Sequence, residues 1–295
     1  MEQRFLNPSV LAGISGLELV ARTVVDGFIA GLHRSPDFGF SQEFAEYRAY
    51  SAGDDLRHVD WNVFARSERM YLKRYHGETN TLITVLLDAS KSMSYTSHGV
   101  RKIDFARYLA ASLLYLSIQQ RDAGGLIVFD DEIRDYVRPS GRQGQLQRLL
   151  YSIDKAEPGQ RTDFAKPFLH FQQFLHRRGI VVVISDFYGD PDTLVSSMAP
   201  LRSRGNELAL FHVLDPQEVR PQFRDAAVLV DLETEDTIEV SPDYARHEYR
   251  ERVDAHIAAL KTKSQAAGMD YFLVTTDRPL DAALREYLFI RQGRL

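Results

Sequence analysis

Hydrophobic positions follow two alternating patterns from residue 81 onward. Short apolar runs occur at Thr81–Leu87, Gly125–Phe129 and Ile180–Ser185, and longer stretches between them carry apolar residues three or four positions apart. Such runs predict buried strands, and the stretches between them predict amphipathic helices. Because strands and helices alternate, the pattern predicts βαβ units around a mainly parallel sheet.

The remaining elements continue this alternation to the C-terminus. Further strands are predicted over Glu207–Leu214 and Tyr271–Val274, with a short extended edge piece at Ile133–Pro139. Helices are predicted over Asp104–Gln120, Gln145–Ile153, Phe164–Arg177 and Thr193–Arg204, through Tyr249, Val253, Ile257 and Leu260, and from Pro279 onward. The predicted fold class is therefore α/β, with a mainly parallel sheet flanked by helices.

Two segments depart from the βαβ pattern. Residues 1–80 contain a predicted helix near Leu17–Leu32, followed by a polar and aromatic stretch. Residues 216–240 contain two strand-like pieces, Ala227–Leu232 and Thr237–Val240, which predict a small inserted β-hairpin. We therefore expect an N-terminal extension over 1–80 and a main domain over 81–295 with a hairpin insertion at 216–240.

The composition of the chain limits which partners and which cellular compartment are expected. The 295-residue chain has 44% hydrophobic and 26% charged residues, which is ordinary for a globular protein. Its net charge is -5 and its charges are interleaved, so no basic block predicts nucleic-acid binding. It has no cysteine, and no apolar run approaches the roughly 20 residues of a membrane-spanning helix. We expect a cytoplasmic protein without a membrane span.

The most informative short pattern is D-x-S-x-S at the end of the first predicted strand, formed by Asp88, Ser90 and Ser92. In open parallel sheets, ligands bind in the crevice beyond the carboxyl ends of the strands. One carboxylate and two hydroxyls at alternate positions are hard oxygen donors of the kind that Mg²⁺ prefers. This pattern predicts a cation site, with Mn²⁺ or Ca²⁺ as alternatives to Mg²⁺.

Two further oxygen donors are expected on neighbouring loops. Thr162 precedes the helix predicted from Phe164, and Asp186 directly follows the predicted strand Ile180–Ser185. Together with Asp88, Ser90 and Ser92, they would leave one coordination position open. An open position on a protein-bound cation implies that a partner protein supplies an acidic side chain.

A simpler interpretation of the same residues stays open. Ser and Asp at a strand-to-helix turn commonly bond the local backbone, so Asp88, Ser90 and Ser92 could form a helix N-cap and turn. Asp163 is expected to cap the following helix. The acidic run Asp130–Glu132 is expected to be a solvated loop outside the site.

Several motifs resemble known families. Asp88, Ser90, Ser92, Thr162 and Asp186 match in order the five positions of the metal-ion-dependent adhesion site of von Willebrand factor A domains. The segment from Glu46 through Gly53-Asp54-Asp55-Leu56-Arg57 to Asp60-Trp61, with Ala65-Arg66 following, resembles a bacterial family numbered fifty-eight among the domains of unknown function, and so do Arg177-Arg178-Gly179 and Ile184-Ser185-Asp186-Phe187.

The resemblance implies a function. Members of that family are typically encoded beside MoxR-type AAA+ ATPases, which implies a metal-dependent binding module that serves such an ATPase in a chaperone-like or maturation role. No catalytic residue and no organic cofactor are expected. The Gly53–Trp61 segment would be either an ion-pair network or a surface that the ATPase contacts.

Two other functions stay open from the residues. A metal-dependent phosphoester hydrolase would need a general base, for which Asp130 is the only carboxylate near a strand end. A structural subunit with a vestigial metal site is the second alternative.

Overall fold

A computed structural model describes residues 7–14, 16–32, 44–49, 63–64, 69–75, 81–159, 165–171, 173–175, 177–222, 225–230, 232 and 236–292. Its strands are β1 Phe44–Ala49, β2 Tyr71–Tyr75, β3 Leu82–Asp88, β4 Ala123–Phe129, β5 Ile133–Ser140, β6 Ile180–Ser185, β7 Glu207–Leu214, β8 Ala227–Val230, β9 Thr237–Val240 and β10 Asp270–Thr275. Its α-helices are α1 Pro8–Leu11, α2 Leu17–Leu32, α3 Lys102–Gln119, α4 Gln145–Asp154, α5 Ala165–Phe171, α6 Pro191–Ser203, α7 Pro216–Val219, α8 Pro242–Tyr244, α9 Arg250–Ala266 and α10 Leu280–Gln292.

The central sheet has six strands in the order β10-β7-β6-β3-β4-β5. All neighbours are parallel except β5, which runs antiparallel to β4 at one edge. Numbered from β3 as the first strand, the order is 3-2-1-4-5-6, which is the order of doubly wound α/β sheets. The fold class predicted from the sequence is thus confirmed, including the extended edge piece that became β5.

The central strands β3, β4, β6 and β7 are buried on both faces because nearly all of their residues are apolar. In β6, Ile180, Val182 and Ile184 face one hydrophobic cluster, while Val181 and Val183 face the other. Helices α2, α3, α4 and α10 contribute to the first cluster, and α5, α6 and α9 contribute to the second. This two-sided covering explains the nearly unbroken β-branched run that predicted the strand.

The N-terminal helix α2 belongs to the first of these clusters. Its residues Val20, Val24 and Phe28 are four positions apart, lie on one face and are almost fully buried. That spacing gives a helix one continuous apolar stripe. The helix predicted near Leu17–Leu32 therefore shares the hydrophobic core of the main domain, although it lies in the segment that the sequence set apart as an extension.

Two helices differ from the sequence prediction. The helix predicted over Phe164–Arg177 ends at Phe171, where the Phe174 amide bonds the Phe171 carbonyl at 3.0 Å in a tighter turn. The Phe174 ring lies 4.6 Å from the Tyr136 ring of β5 and packs edge to face against it. The helix predicted through Tyr249 and Leu260 begins with a π-helical segment, Ala245–Tyr249, before α9.

The predicted hairpin lies between β7 and β10. Strands β8 and β9 pair antiparallel, with Ala227 opposite Val240 and Val230 opposite Thr237. Strands β1 and β2 form a second two-stranded antiparallel sheet. Within the described ranges, no helix is long and apolar enough to cross a membrane.

Candidate metal centre

Asp88 ends β3 at the carboxyl edge of the sheet, and its side chain is fully buried. Its Oδ1 accepts a hydrogen bond from the Ser90 amide at 2.8 Å, and its Oδ2 accepts one from the Ser185 hydroxyl at 2.6 Å. Ser185 ends β6, the strand that pairs with β3. The Asp88 carboxylate is therefore fixed between two adjacent strand ends.

The two serines of the D-x-S-x-S pattern lie together beside Asp88. Ser90 has extended backbone and precedes a short 3₁₀ turn, Lys91–Ser94, that carries Ser92. The two hydroxyl oxygens are 3.0 Å apart and both side chains are buried. The Ser90 side chain caps no helix; instead the hydroxyls pair with each other. The structure therefore does not support the helix-cap interpretation for Ser90.

Asp186 follows Ser185 and is also buried at the same edge. Its Oδ2 lies 2.8 Å from the ammonium of Lys102, which begins helix α3. The same ammonium lies 2.7 Å from the carboxylate of Glu218 in the short helix α7. Lys102 is fully buried, so one internal cation is shared between two carboxylates.

At this edge of the sheet, the negative charge of the Asp88 carboxylate is poorly compensated. Burial and the negative charge of nearby Asp186 together raise the pKa of the Asp88 carboxyl to about 7, against the lowering effect of the hydrogen bonds from Ser185 and Ser90. Burial also disfavours the charge on Lys102, but Asp186 and Glu218 outweigh it and the pKa of Lys102 is raised. Lys102 thus stays charged, and no cationic side chain among the described residues forms an ion pair with Asp88.

The loop that leads to Thr162 packs directly on the Asp88 loop. The Gly159 amide donates to the Ala89 carbonyl at 2.6 Å, and a side chain at Gly159 would collide with the Asp130 carboxylate. Only glycine permits this close approach. Thr162 and Asp163 themselves lie outside the described residues, so the role of Thr162 stays a prediction.

Asp130 differs from the expectation of a solvated acidic loop, because its side chain is fully buried. Its Oδ2 accepts from Arg134 Nε at 2.6 Å, and its Oδ1 accepts from the Glu132 amide at 3.1 Å. Burial favours the neutral acid, but these hydrogen bonds outweigh it and lower the pKa of Asp130. The carboxylate on which the hydrolase alternative depended is held in an ion pair.

The donor set of the candidate centre is chemically suited to a hard cation. It combines the carboxylates of Asp88 and Asp186 with two buried serine hydroxyls, and oxygen donors of this kind suit Mg²⁺. Among the described residues, no group of three or more His, Cys, Asp or Glu could hold a metal ion. A site at this edge therefore depends on hydroxyl oxygens, as the D-x-S-x-S pattern requires.

Sequence reasoning did not assign two residues of this centre, Ser185 and Lys102. Ser185 is the one polar residue in the run Ile180–Ser185, and its place beside Asp186 is a signal that could have indicated it. Lys102 stands in the first turn of a helix that is apolar on nearly every side, where the helix dipole disfavours a cation. A lysine in that position indicates a specific acidic partner.

The sheet order defines a doubly wound α/β domain, with Asp88, Ser185 and Asp186 at the carboxyl edge of its strands. The profile of the family "Protein of unknown function DUF58" matches residues 46–259, and the chain belongs to that family. The Gly53–Trp61 segment falls within this match but outside the described residues.

The chain is also similar in sequence to mycobacterial proteins. An uncharacterized protein of Mycobacterium tuberculosis is 28% identical over 278 residues, covering 92% of this chain and 86% of that protein. An uncharacterized protein of Mycobacterium avium is 32% identical over 143 residues, covering 47% of this chain and 83% of that protein.

Among solved structures, BatB from Bacteroides thetaiotaomicron matches with a TM-score of 0.47 and 15% identity, over 72% of this chain and 98% of that chain. The vWF domain of the pilus tip protein Mfa5 from Porphyromonas gingivalis gives 0.40 and 12%, over 72% and 96%.

Proposed function

We propose that this protein is a metal-dependent protein-binding module, whose cation is held by Asp88, Ser90, Ser92, Thr162 and Asp186 and takes an acidic side chain from a partner. The observation that carries the proposal is the burial of the Asp88 carboxylate and its raised pKa. This carboxylate is fully buried beside a second carboxylate and two hydroxyls, and burial raises its pKa to about 7. Divalent charge at this position would offset that burial cost.

Each residue has a distinct part in the proposed site. Ser185 orients the Asp88 carboxylate from one side, and the Ser90 amide orients it from the other. Lys102 holds Asp186 through Oδ2 and compensates part of its charge. A bound Mg²⁺, or Mn²⁺ or Ca²⁺ in its place, would supply an electrophilic position for a carboxylate oxygen.

For the partner we propose a MoxR-type AAA+ ATPase, a client protein that offers a Glu or Asp, or both. This part of the proposal comes from the family resemblance. The cytoplasm is the compartment in which such an adaptor would work, and the absence of cysteine fits a reducing environment.

Calorimetric titration with Mg²⁺ tests the site itself. We expect the wild-type protein to bind one divalent cation and Asp88→Ala to lose that binding by at least about a hundredfold, because the variant removes the central ligand. Asp131→Ala is the matched control, since it removes a carboxylate from the same edge whose side chain is 41% exposed. No heat of binding to the wild-type protein would mean that there is no working site.

A second measurement tests the binding function. A purified MoxR-type ATPase from the same organism should associate with the wild-type protein in Mg²⁺ and dissociate on chelation, and Asp88→Ala should abolish the association. Unchanged association in Asp88→Ala would contradict the metal-dependent mechanism. Turnover of a phosphoester that is lost in Asp88→Ala would favour the hydrolase alternative instead.

A further inference from the structure

A pocket of about 310 Å³ lies beside the candidate metal centre, and we name it the hairpin pocket. The β8–β9 hairpin contributes Leu229 and Val240 to its lining, and helix α9 contributes Val253 and Ile257. Its volume is at the lower end of the range for small-ligand sites, which is enough for one bulky side chain. The hairpin is an insertion between β7 and β10, so the sheet does not require it.

The hairpin pocket is continuous with the candidate metal centre. Tyr188 and Glu218 both line it. The Lys102 ammonium lies 4.7 Å from the centre of the Tyr188 ring, 2.7 Å from Glu218 and 2.8 Å from Asp186. One lysine therefore contacts both the pocket wall and a candidate metal ligand. These contacts through Lys102 bring the centre of the Tyr188 ring within at most about 7.5 Å of Asp186 Oδ2. At about 3.3 Å per residue, an extended segment spans such a distance in one to three residues.

The lining is suited to an apolar guest. Besides the aliphatic residues, it contains Tyr249 and the buried His212. Its Nδ1 lies 2.6 Å from the Tyr271 hydroxyl. Glu218 is paired with the Lys102 ammonium, which it shares with Asp186, and the remaining charged residue of the lining, Arg252, is exposed. An apolar side chain would gain burial against the aliphatic and aromatic residues of this lining.

Two features of the surrounding backbone and surface indicate a binding role. Tyr249 belongs to the π-helical segment Ala245–Tyr249, and π-helical segments are rare and frequently occur at functional sites. On β8, Leu229 lines the pocket, while its neighbours Val228 and Val230 are 60% and 52% exposed. The apolar surface thus continues from the pocket onto the outer face of the hairpin.

We propose that the hairpin pocket receives a bulky apolar side chain, preferably aromatic, from the same partner segment whose carboxylate reaches the cation. The partner is then recognised by an acidic residue with an aromatic residue one to three positions away. The link to the carboxylate rests on the proposed function, whereas occupation of the pocket by an apolar group does not. The hairpin would serve as the specificity element of the module.

Two matched peptides test the link. Both are short, fluorescently labelled and contain one Asp, and they differ only in carrying Phe or Gly two positions after it. In Mg²⁺, fluorescence anisotropy should show the Phe peptide binding the wild-type protein about tenfold more tightly than the Gly peptide, because only Phe fills the pocket. Val253→Trp, which fills the pocket, should remove this preference and leave binding of the Gly peptide unchanged.

Ala258→Trp is the matched control for that variant, because Ala258 is exposed on the same helix and does not line the pocket. It should keep the tenfold preference. Equal Mg²⁺-dependent binding of both peptides by the wild-type protein, or a preference that survives Val253→Trp, would overturn the pocket proposal and leave the proposed function intact.

A metal-independent probe separates the two proposals. Saturation-transfer NMR with para-cresol should detect binding to the wild-type protein and equally to Asp88→Ala, but not to Val253→Trp. Binding of para-cresol with no Mg²⁺-dependent binding of either peptide would contradict the proposed function and the shared-segment proposal, while supporting the pocket as an apolar site. Absence of para-cresol binding from the wild-type protein would overturn the pocket itself.

Discussion

Asp88 and Asp130 lie at the carboxyl ends of neighbouring strands, and both side chains are fully buried. They differ in what compensates their charge. Asp130 accepts from the Arg134 guanidinium and a backbone amide, and its pKa is lowered although burial opposes this. Among the described residues, Asp88 accepts from the Ser185 hydroxyl and from Ser90 but from no cationic side chain, and burial and Asp186 raise its pKa to about 7.

The difference separates a structural carboxylate from a candidate ligand. A buried charge is tolerated when a cation and hydrogen bonds compensate it, and is costly otherwise. Asp130 has its cation within the chain, whereas Asp88 shares its surroundings with Asp186, whose own cation, Lys102, is also bonded to Glu218. The unbalanced carboxylate is the one that stands in the D-x-S-x-S pattern.

The largest expected effect concerns the internal cation. Lys102→Met should destabilise the metal-free protein by about 3 to 5 kcal/mol, because it leaves the buried carboxylate of Asp186 and the partly buried carboxylate of Glu218 without their cation. Urea unfolding in chelator measures this loss. Mg²⁺ should recover part of it, since a divalent ion restores positive charge beside Asp186. A loss below about 1 kcal/mol would show that the Lys102 pairs contribute little.

Substitution by asparagine should affect the two aspartates in opposite directions. The raised pKa of Asp88 means that the native protein binds this proton more tightly than the unfolded chain does. Stability therefore falls as the pH rises from about 4 to about 7. At pH about 8 in chelator, Asp88→Asn should raise the unfolding free energy by on the order of 1 to 4 kcal/mol.

Asp130→Asn is the matched variant. It should lower the unfolding free energy by about 1 to 3 kcal/mol under the same conditions, because it weakens the ion pair with Arg134. Denaturant unfolding of both variants measures the pair of effects. Shifts of the same sign would contradict the distinction between the two carboxylates.

The pH dependence of cation binding is the next expected effect. Because protonated Asp88 must lose its proton before it can bind a cation, the apparent Mg²⁺ affinity should fall below pH about 7, toward tenfold per pH unit. Calorimetric titrations at pH about 6 and about 8 measure the slope. An affinity that is constant across this interval would mean that Asp88 is not a ligand.

The smallest expected effect is at the end of β6. Ser185→Ala removes the hydroxyl that donates to Asp88 Oδ2, so Mg²⁺ affinity should fall about three- to tenfold, or about 1 kcal/mol. Titration calorimetry measures it. Ser152→Ala, which removes a buried hydroxyl that bonds Asp135 away from this edge, is the control and should leave the affinity unchanged.

Only those residues of the candidate site that stand in a local sequence pattern could be predicted. Asp88, Ser90 and Ser92 stand at alternate positions after an apolar run, and Asp186 follows another such run, so periodicity alone indicated the edge of the sheet. Lys102 and Glu218 could not be assigned because their contact joins side chains far apart in sequence. Ser185 stands beside Asp186, which is a local signal, but its bond to Asp88 spans 97 positions and is visible only in the fold. The burial of Asp130 was missed because an acidic run after a strand usually faces solvent.

The sequence by itself determined the α/β class, the central strands and the D-x-S-x-S pattern, because periodicity and strand-end position are local properties of the chain. Only the tertiary structure decided which carboxylates are compensated. It also decided that helix α5 ends at Phe171 and that a hairpin, a π-helical segment and α9 enclose a pocket beside Asp186. These features depend on contacts between charges and apolar surfaces that are distant in sequence. Such contacts form only on folding, and a local sequence pattern does not specify them.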